Sequence, residues 1–321
     1  MHDEPVNDPD DDRRRAGQTD PVVAADPVGA ADEVFELERP RLTGLAYRML
    51  GSLSDAEDVV QDAWLRWQRA DRDEIRNPAA WLTTVSSRLA LDRLRAQRRR
   101  REDYVGPWLP EPIRAVAPTQ AAEDPEQAAE LAESMTLGFL VVLDRLGPVE
   151  RAVFLLADVF GEPYADIAEI VDRSPEACRQ IASRARRKVR AEREPATPAD
   201  EALLADLIGA VMVGDVDAVI SLLSPEVVLV SDGGPNRRAA RRPVLGPAKV
   251  ARLLINLTHR MPTDGEVAFE LVNAGPALVL RSEELTCALT ADRDDRGVVS
   301  VVRILINPDK LAGLDHPVAV T

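Results

Sequence analysis

The sequence is poor in aromatic residues, cysteine and histidine. Aromatic residues make up 4% of the 321 residues whereas 45% are apolar, so any core must be built mainly from Leu, Val, Ile and Ala. The two cysteines, Cys178 and Cys287, are far apart in the chain, which favours a reducing compartment over a disulfide framework. The three histidines are scattered, and no Cys/His spacing resembles a zinc site. We therefore expect neither a metal nor another cofactor.

Long apolar runs are scarce as well. No stretch approaches the roughly 20 residues that cross a bilayer, and the N-terminus has no basic start followed by an apolar segment. A basic start followed by an apolar segment is what a secretory signal peptide requires. These features predict a soluble, cytoplasmic protein that does not bind membranes.

The formal net charge of −15 argues against a nucleic-acid partner only if the charge is spread evenly. It is not. Residues 1–38 hold twelve acidic residues and three arginines, whereas residues 93–101 hold six arginines, and residues 173–193 hold eight basic residues and two acidic ones. Two concentrated basic patches on an acidic chain can bind DNA locally while the whole protein stays in solution.

Composition and periodicity divide the chain into segments. Residues 1–32 resemble a disordered acidic tail, residues 33–101 and 129–193 form two helical blocks, and residues 102–128 form a linker rich in Pro, Ala and Glu. From residue 198 to 321, one helix is followed by short Val/Leu-rich runs between Gly, Pro and Asp, which indicate strands. The expected fold class is multidomain, with two all-α domains followed by an α+β domain.

Residues 163–190 have the pattern of a helix-turn-helix. Asp172 lies at the turn, where Asp tolerates a left-handed backbone, and Ser174 and Pro175 suit the N-cap and first position of the second helix. The outward face of that helix carries guanidinium and amide groups that can read base edges. These side chains are Arg179, Gln180, Ser183, Arg184 and Arg187. A solvated hairpin with an ordinary charged face is the alternative.

The first helical block contains a second surface of interest. Ser54 with Glu57 three residues later is a capping-box pattern that opens a helix. An exposed stripe then follows at spacings of three, four and seven, formed by Asp58, Gln61, Asp62 and Leu65. A stripe that serves only solubility is the alternative. The next helix begins at Asn77-Pro78 and ends in the arginine-rich residues 93–101, so one side suits a protein partner and the other suits DNA.

At this point the chain resembles a known family. The segment AYRMLGSLSDAEDVVQDAWLRW at 46–67, followed by NPAAWLTTV at 77–85 and LALDRLR at 89–95, resembles region two of bacterial extracytoplasmic-function (ECF) sigma factors. The helix-turn-helix then corresponds to sigma region four. Both regions occur in the order that the family has.

The resemblance implies partners and roles. Core RNA polymerase would be bound through its β′ clamp helices, by the stripe from Asp58 to Leu65, and through its β flap. Promoter DNA would be bound at the minus-thirty-five element by the exposed face of the helix-turn-helix. The minus-ten element would be recognised and opened by Arg72 and Arg76 in a loop together with Arg88, Asp92 and Arg95 on the following helix. Many family members have Arg-Asn where this chain has Ser87-Arg88, which leaves the minus-ten preference open.

The C-terminal segment carries a second resemblance. From Gly214 onward it is similar to the opening of SnoaL-like domains, whose cone-shaped α+β fold, shared with NTF2-like proteins, wraps a curved sheet around a pocket. Three motifs match the SigJ-like subgroup of ECF sigma factors, which carries such a domain. They are Trp108, Leu109, Pro110, Glu111 and Pro112 in the linker, Asp232, Gly233 and Gly234, and Asn307, Pro308, Asp309, Lys310 and Leu311. Pro235 stands where a third Gly is common.

This subgroup implies regulation in cis. The appended domain would hold the linker through these three motifs and would take the place of a separate anti-sigma factor. Two alternatives stay open: a helix-turn-helix regulator with a ligand-sensing domain, and a SnoaL-like enzyme with a DNA-binding appendage. Acid–base candidates are Asp232, His259, Glu270 and Glu283, but no pair has a diagnostic spacing and fold alone does not confer activity. We expect no catalysis and leave open an unidentified small-molecule ligand.

Overall fold

The computed structural model describes residues 27–101, 104–116, 131–192, 197–314 and 318–319. The expected acidic tail therefore lies mostly outside the described residues. Its last part was placed wrongly, because the first helix begins at Pro27 rather than after residue 32. Proline suits that position, since the first turn of a helix has no use for its missing N–H.

Three helices form the first domain. Their bounds are α1 (Pro27–Leu50), α2 (Leu53–Arg69) and α3 (Pro78–Arg101), with a short 3₁₀ turn (Arg72–Glu74) between the last two. Ser52 rather than Ser54 caps α2, because its Oγ accepts a hydrogen bond from Asp55 N at 3.2 Å. This earlier start brings Leu53 into the helix, where it is buried. Asn77 caps α3 as expected, and its Oδ1 accepts from Ala80 N at 3.2 Å.

The second domain is also helical. Its elements are α4 (Leu137–Asp144), α5 (Pro148–Phe154), a π-helical turn (Leu155–Val159), α6 (Tyr164–Val171) and α7 (Pro175–Glu192). Helix α6 ends at Val171 and is followed by the C-cap Asp172, whose φ of 56° is left-handed. Ser174 Oγ then accepts from Ala177 N at 3.1 Å and opens α7. The predicted helix-turn-helix is confirmed in its two helices, its turn and its cap.

The two helical domains share one hydrophobic core. Leu91 and Leu94 of α3 belong to the same buried cluster as Ile167 of α6 and Ile181 of α7. Leu140 of α4 lies in it as well. The sequence pattern predicts a buried face on each of these helices, and the structure shows that the faces cover one another.

The C-terminal domain is a curved sheet with helices on one face. The helices are α8 (Glu201–Val213), α9 (Val216–Ser221) and α10 (Pro247–Thr258). The strands, with β1 (Ala115–Val116) taken first in chain order, are β2 (Thr197–Pro198), β3 (Leu223–Asp232), β4 (Val244–Leu245), β5 (Glu266–Val272), β6 (Gly275–Arg281), β7 (Thr286–Arg293), β8 (Val299–Leu305) and β9 (Val318–Ala319). The main sheet has the order β4-β3-β8-β7-β6-β5, and β2 adds to β7. Strands β3 and β8 are parallel, whereas the other pairs in this sheet are antiparallel.

The two faces of this sheet have different neighbours. Leu229, Leu289 and Val302 pack with Leu207 of α8 and Leu254 of α10, so apolar side chains fill the space between sheet and helices. The opposite face carries a separate cluster that includes strand residues, linker residues and the start of α4. The α+β fold class is therefore as expected, and the face opposite the helices, here called the outer face, is the one that meets the rest of the chain.

Candidate functional site

The polar stripe of α2 faces solvent as predicted. Asp58, Gln61, Asp62 and Leu65 are all exposed, and they lie opposite the buried side chains of Val59 and the other core residues of this helix. Asp58 forms an ion pair with Arg93 of α3 at 3.2 Å. An exposed leucine next to carboxylates can bury apolar area against a partner while the acids select a basic surface.

A concave surface lies beside the loop between α2 and α3. It encloses about 480 Å³ and is lined by residues that include Arg76, Asn77 and Trp81. The Arg72 guanidinium lies 5.5 Å from the ring centre of Trp67. Beside the carboxylates of Asp71 and Glu74, this surface offers a cation, a carboxamide and an aromatic ring, which together can hold an unstacked base.

The predicted DNA-facing residues of α3 are exposed, but one of them, Arg88, is hydrogen-bonded to the second domain. Asp92 and Arg95 pair with each other at 2.9 Å. Arg88 instead donates from Nη2 to the carbonyl oxygen of Glu169 at 2.7 Å. Glu169 belongs to α6, so the surface of α3 around Arg88 is engaged by the helix-turn-helix.

The outward face of α7 is arranged as expected. Arg179, Gln180, Ser183, Arg184 and Arg187 are exposed, and the Arg179 guanidinium lies 5.6 Å from the ring centre of Tyr164. Cys178 points into the core, where burial raises the pKa of its thiol. The helix thus presents forked donors to solvent and a small apolar side chain to its neighbours.

Polar contacts reinforce the packing of the two helical domains. Arg41 of α1 pairs with Glu162, in the loop before α6, at 2.6 Å. Arg48 is buried, and its Nε donates to Ser134 Oγ at 2.7 Å. Burial lowers the pKa of Arg48 to about 10. Arg151 Nε donates to the carbonyl oxygen of Arg48 at 3.0 Å. These guanidinium groups fix how α1 sits on the second domain.

The linker motif and the two motifs of the C-terminal domain meet at one place, which we call the linker junction (linker residues 104–114 with Asp232, Asn273, Asn307 and Lys310). Asp232 is buried at its centre. Its carboxylate accepts hydrogen bonds from Tyr104 Oη at 2.6 Å and from Leu109 N at 2.9 Å. It also accepts from Gly234 N at 3.0 Å. The turn after β3 therefore binds both its own backbone and the linker.

Lys310 supplies the counter-charge. Its Nζ lies 2.7 Å from Asp232 Oδ2 and donates to the Leu109 carbonyl oxygen at 2.6 Å. The same ammonium lies 4.1 Å from the ring centre of Trp108 and 4.9 Å from that of Tyr104, within the range of cation–π attraction. Two aromatic rings and a carboxylate thus surround a buried lysine.

Close packing accounts for other motif positions. A Cβ at Gly234, where φ is +59°, would lie 2.7 Å from the side-chain Cγ of Asn307, so only glycine fits. Asn307 Nδ2 donates to Tyr104 Oη at 3.0 Å. Burial and hydrogen bonding to Asp232 raise the pKa of Tyr104. Leu109 and Leu311 lie in one apolar cluster on the outer face of the sheet.

The linker also contacts the first domain. Glu111 Oε2 accepts from Leu53 N at 2.6 Å, at the N-terminus of α2, where unpaired amides favour a carboxylate. Desolvation nevertheless raises the pKa of Glu111. Tyr47 Oη donates to the Glu111 carbonyl oxygen at 2.5 Å, and the Trp108 ring packs against Gly51.

Asn273 joins all these parts and was missed by sequence reasoning. It lies in the β5–β6 turn with φ +50° and is buried. Its Nδ2 donates to Tyr47 Oη at 2.7 Å and to the Met135 carbonyl oxygen at 3.0 Å, and its Oδ1 accepts from Ile113 N at 3.0 Å. One side chain therefore holds the first domain, the linker and the segment that enters the second domain. Its turn-favouring residue type was the only available signal.

The four acid–base candidates are not brought together. Asp232 lies in the linker junction, and Glu270 pairs with Arg281. His259, at the end of α10, and Glu283 are exposed. Over the part of the chain that the structure describes, no group of three His, Cys, Asp or Glu side chains is arranged for a metal ion. No helix in that part has both the length and the apolar character needed to cross a membrane.

Comparison with known proteins gives a consistent result. The family models Sigma-70 region 2 and Sigma-70, region 4 match residues 34–100 and 138–189. The ECF RNA polymerase sigma factor SigJ of Mycobacterium tuberculosis is 40% identical over 294 residues, which cover 87% of this chain and 92% of SigJ. The probable ECF RNA polymerase sigma factor SigI of the same species is 32% identical, with coverage of 89% and 95%. The crystal structure of M. tuberculosis SigJ matches with a TM-score of 0.69 at 35% identity, over 88% of this chain and 98% of that one.

Proposed function

This chain belongs to the ECF sigma factors, which direct bacterial RNA polymerase to promoters, and we propose that its C-terminal domain restrains the sigma core in cis. The sigma core is the part formed by α1–α7. The proposal rests on Asn273, because this one side chain of the C-terminal domain binds region two, the linker and the entry to region four. No other partner is needed for the restraint.

Surface chemistry supports specific contacts for the sigma core. The exposed stripe of Asp58, Gln61, Asp62 and Leu65 on α2 would dock on the β′ clamp helices, and region four would contact the β flap. The concave surface beside Arg72 and Arg76, with Arg88, Asp92 and Arg95 on α3, would bind the minus-ten element. The exposed face of α7, from Arg179 to Arg187, would read the minus-thirty-five element.

We infer that this packing keeps the two proposed DNA-binding surfaces too close together to bind both elements at once. The two elements lie about 25 base pairs apart, and at roughly 3.4 Å per base pair this is roughly 85 Å. In the structure α3 and α6 touch, and Arg88 binds the Glu169 carbonyl oxygen. Regions two and four must therefore separate before a promoter can be engaged. The linker must be released for that separation, because it is held by Asp232 and Lys310 of the C-terminal domain.

The direct experiment is run-off transcription with core RNA polymerase, comparing the full chain with one that ends near Pro195. If the C-terminal domain restrains the core, the two proteins differ markedly in activity and in affinity for core polymerase. Equal behaviour in both assays would remove the proposal. A smaller deletion of residues 307–311 should act differently from loss of the whole domain, since it breaks the lysine contact and leaves the sheet in place.

Further assignments follow as proposals. We expect the protein to work in the cytoplasm without a separate anti-sigma factor, because a domain of the same chain occupies the linker. We assign no reaction to the C-terminal domain, since Asp232, His259, Glu270 and Glu283 lie in separate places. Turnover of a substrate by the purified full chain would contradict this assignment.

A further inference from the structure

A cavity of about 530 Å³ lies between the C-terminal domain and the sigma core. Its walls come from three parts of the chain: the sheet, through Val228 and Val301, region four, through Val141 of α4, and the linker, through Trp108. It lies on the outer face of the sheet, opposite the face that the helices cover. Its volume falls in the range of small-molecule sites, about 300–1,000 Å³.

One wall of the cavity carries a buried ion pair in which one donor group has no partner. Asp292 and Arg303 pair at 2.6 Å, and both are less than a tenth exposed. Arg303 Nη1 is buried and has no hydrogen-bond partner among the described residues. An unsatisfied buried donor is costly, so a ligand acceptor at this wall would be favoured.

The charges around the cavity favour an anion. Its carboxylates already have partners, since Asp292 pairs with Arg303 and Asp144 pairs with Arg151 at 3.2 Å. Glu133 also has an interaction of its own. Arg145, in contrast, is exposed at the cavity and has no side-chain partner within the described ranges. The charge that is left to attract a ligand is therefore positive, and most of the other lining side chains are apolar.

We propose that this cavity binds a small carboxylate with an apolar body, and that the ligand holds the sigma core closed. The carboxylate accepts a hydrogen bond from Arg303, while the apolar body packs against the valines and Trp108. The inference rests on the proposed restraint in cis and states the direction of the ligand's effect, which is to strengthen that restraint. Because the site exists only while sheet, α4 and linker are together, a ligand that binds it stabilises that arrangement.

Binding is tested on the full chain by titration calorimetry with octanoate, with 1-octanol as an uncharged probe of the same length. A charge-assisted hydrogen bond predicts that octanoate binds about tenfold tighter or more. Equal affinity for the two probes would overturn the assignment of an anion. No binding of octanoate at all would overturn the site.

Variants locate the site. Val301→Phe places an aromatic ring in the cavity and should weaken octanoate binding about tenfold or more, whereas Val267→Phe, on an exposed strand position away from it, should not. Replacing the pair by Asp292→Leu with Arg303→Met keeps an apolar, foldable interior and should remove the preference for octanoate over 1-octanol. Unchanged binding in Val301→Phe, or a retained preference in the double variant, would contradict the proposal.

The effect of the ligand on the sigma core is measured separately. Octanoate should lower the affinity of the full chain for core polymerase but should leave that of Val301→Phe unchanged. If octanoate binds in calorimetry but does not change the affinity for core polymerase, the binding site stands and its coupling to the sigma core is wrong. A third outcome is that octanoate binds the full chain but loss of residues 196–321 leaves transcription unchanged. In that case the binding site stands and the proposed restraint in cis is wrong.

Discussion

Lys310 and Asp232 bury opposite charges against the linker at 2.7 Å although they are 78 residues apart. The resemblance to a subgroup selects both of them from the sequence, but it does not say what each one binds. The lysine also donates to the carbonyl oxygen of Leu109, 201 residues away. Such partners depend on tertiary packing, and local pattern carries no information on it. At the scale of the residue, the sequence is enough to select the residues of the linker junction, but only the structure shows which groups they contact.

Asn273 shows the limit of motif reasoning. It and Ala274 both have positive φ, 50° and 57°, as the two central residues of a tight hairpin turn often do. Asparagine tolerates this backbone, so the residue type is explained by the turn alone. Its three side-chain hydrogen bonds to other parts of the chain leave no trace in the neighbouring sequence.

Replacing Asn273 by glycine should release the restraint. Glycine accepts the positive φ without strain, so the turn is kept while the bonds to Tyr47, Ile113 and Met135 are lost. Each buried bond contributes about 0.5–1.5 kcal/mol, and the loss should raise the affinity of the full chain for core polymerase. Fluorescence anisotropy with labelled protein measures this affinity without knowledge of the promoter.

Asn236→Gly is the matched control, because Asn236 is exposed in a loop of the same domain. It should leave the affinity for core polymerase unchanged. If both glycine variants behave like the parent protein, Asn273 does not hold the closed arrangement.

Glu111 makes a pH-dependent contribution whose sign can be worked out. Desolvation raises its pKa above the ordinary value of 4.5, while the Lys310 charge and the amides of α2 partly oppose the shift. The folded chain therefore binds this proton more tightly than the unfolded chain does. Stability from this group is greatest at low pH and is lost as pH rises from 4.5 through the raised folded pKa.

The comparison with Glu111→Gln isolates this effect, since glutamine resembles the protonated acid and the other titrating groups cancel. The free energy of unfolding of the parent protein should fall relative to that of Glu111→Gln as pH rises over this window. Urea unfolding between pH 4 and pH 8 measures the difference. A constant difference, or one that changes in the opposite direction, would show that Glu111 is not desolvated in the folded chain.

At the scale of the element, helices were the most predictable part of the fold. The 3.6-residue period and the cap at Ser174 placed α6 and α7 correctly. The start of α2 was missed because Ser52 and Ser54 both suit an N-cap, and burial of Leu53 decides between them. The π-helical turn after α5 was missed for a similar reason, since local propensities do not distinguish it from an ordinary helix.

Gly138 of α4 offers a test of the contact between region four and the sheet. A Cβ added there would lie 2.8 Å from Asp292 Oδ2 and 3.3 Å from Arg303 Nη2. Alanine should therefore push α4 away from the sheet, although it favours the helix itself by about 0.5–1 kcal/mol. We expect Gly138→Ala to raise hydrogen exchange at α4 and the affinity for core polymerase.

The control is Gly209→Ala in α8, because nothing lies within 4 Å of a Cβ at that position. This variant receives the same gain in helix propensity without a clash, so it should be more stable than the parent protein and equally restrained. If the two alanine variants have the same stability and exchange, α4 does not pack tightly on the ion pair.

At the scale of the whole molecule, the arrangement of the domains could not be predicted. Amphipathic patterns show that α3 and α6 each have a buried face, but not that these faces share a core. The C-terminal domain also covers apolar linker and α4 residues such as Leu109 and Leu137. Removing the whole domain exposes that surface, so point variants that loosen one contact report on the restraint more cleanly than truncation does.

The ion pair between Arg41 and Glu162 tests the closed arrangement itself. It joins region two to region four at 2.6 Å with both side chains largely covered. Reversing either charge, by Arg41→Glu or Glu162→Arg, creates a like-charge contact and should raise the affinity for core polymerase. The double reversal restores the attraction and should bring the affinity back towards that of the parent protein, with a coupling energy of about 1 kcal/mol.

This cycle separates the closed arrangement from other roles of the two residues. Arg41 also donates to Thr83 Oγ1 at 2.7 Å, and losing that bond affects Arg41→Glu and the double variant equally, so it cancels in the coupling energy. If regions two and four stay together when polymerase binds, the four proteins differ only additively. A coupling energy near zero would therefore mean that binding does not separate the two regions, and the restraint would have to act on some other step.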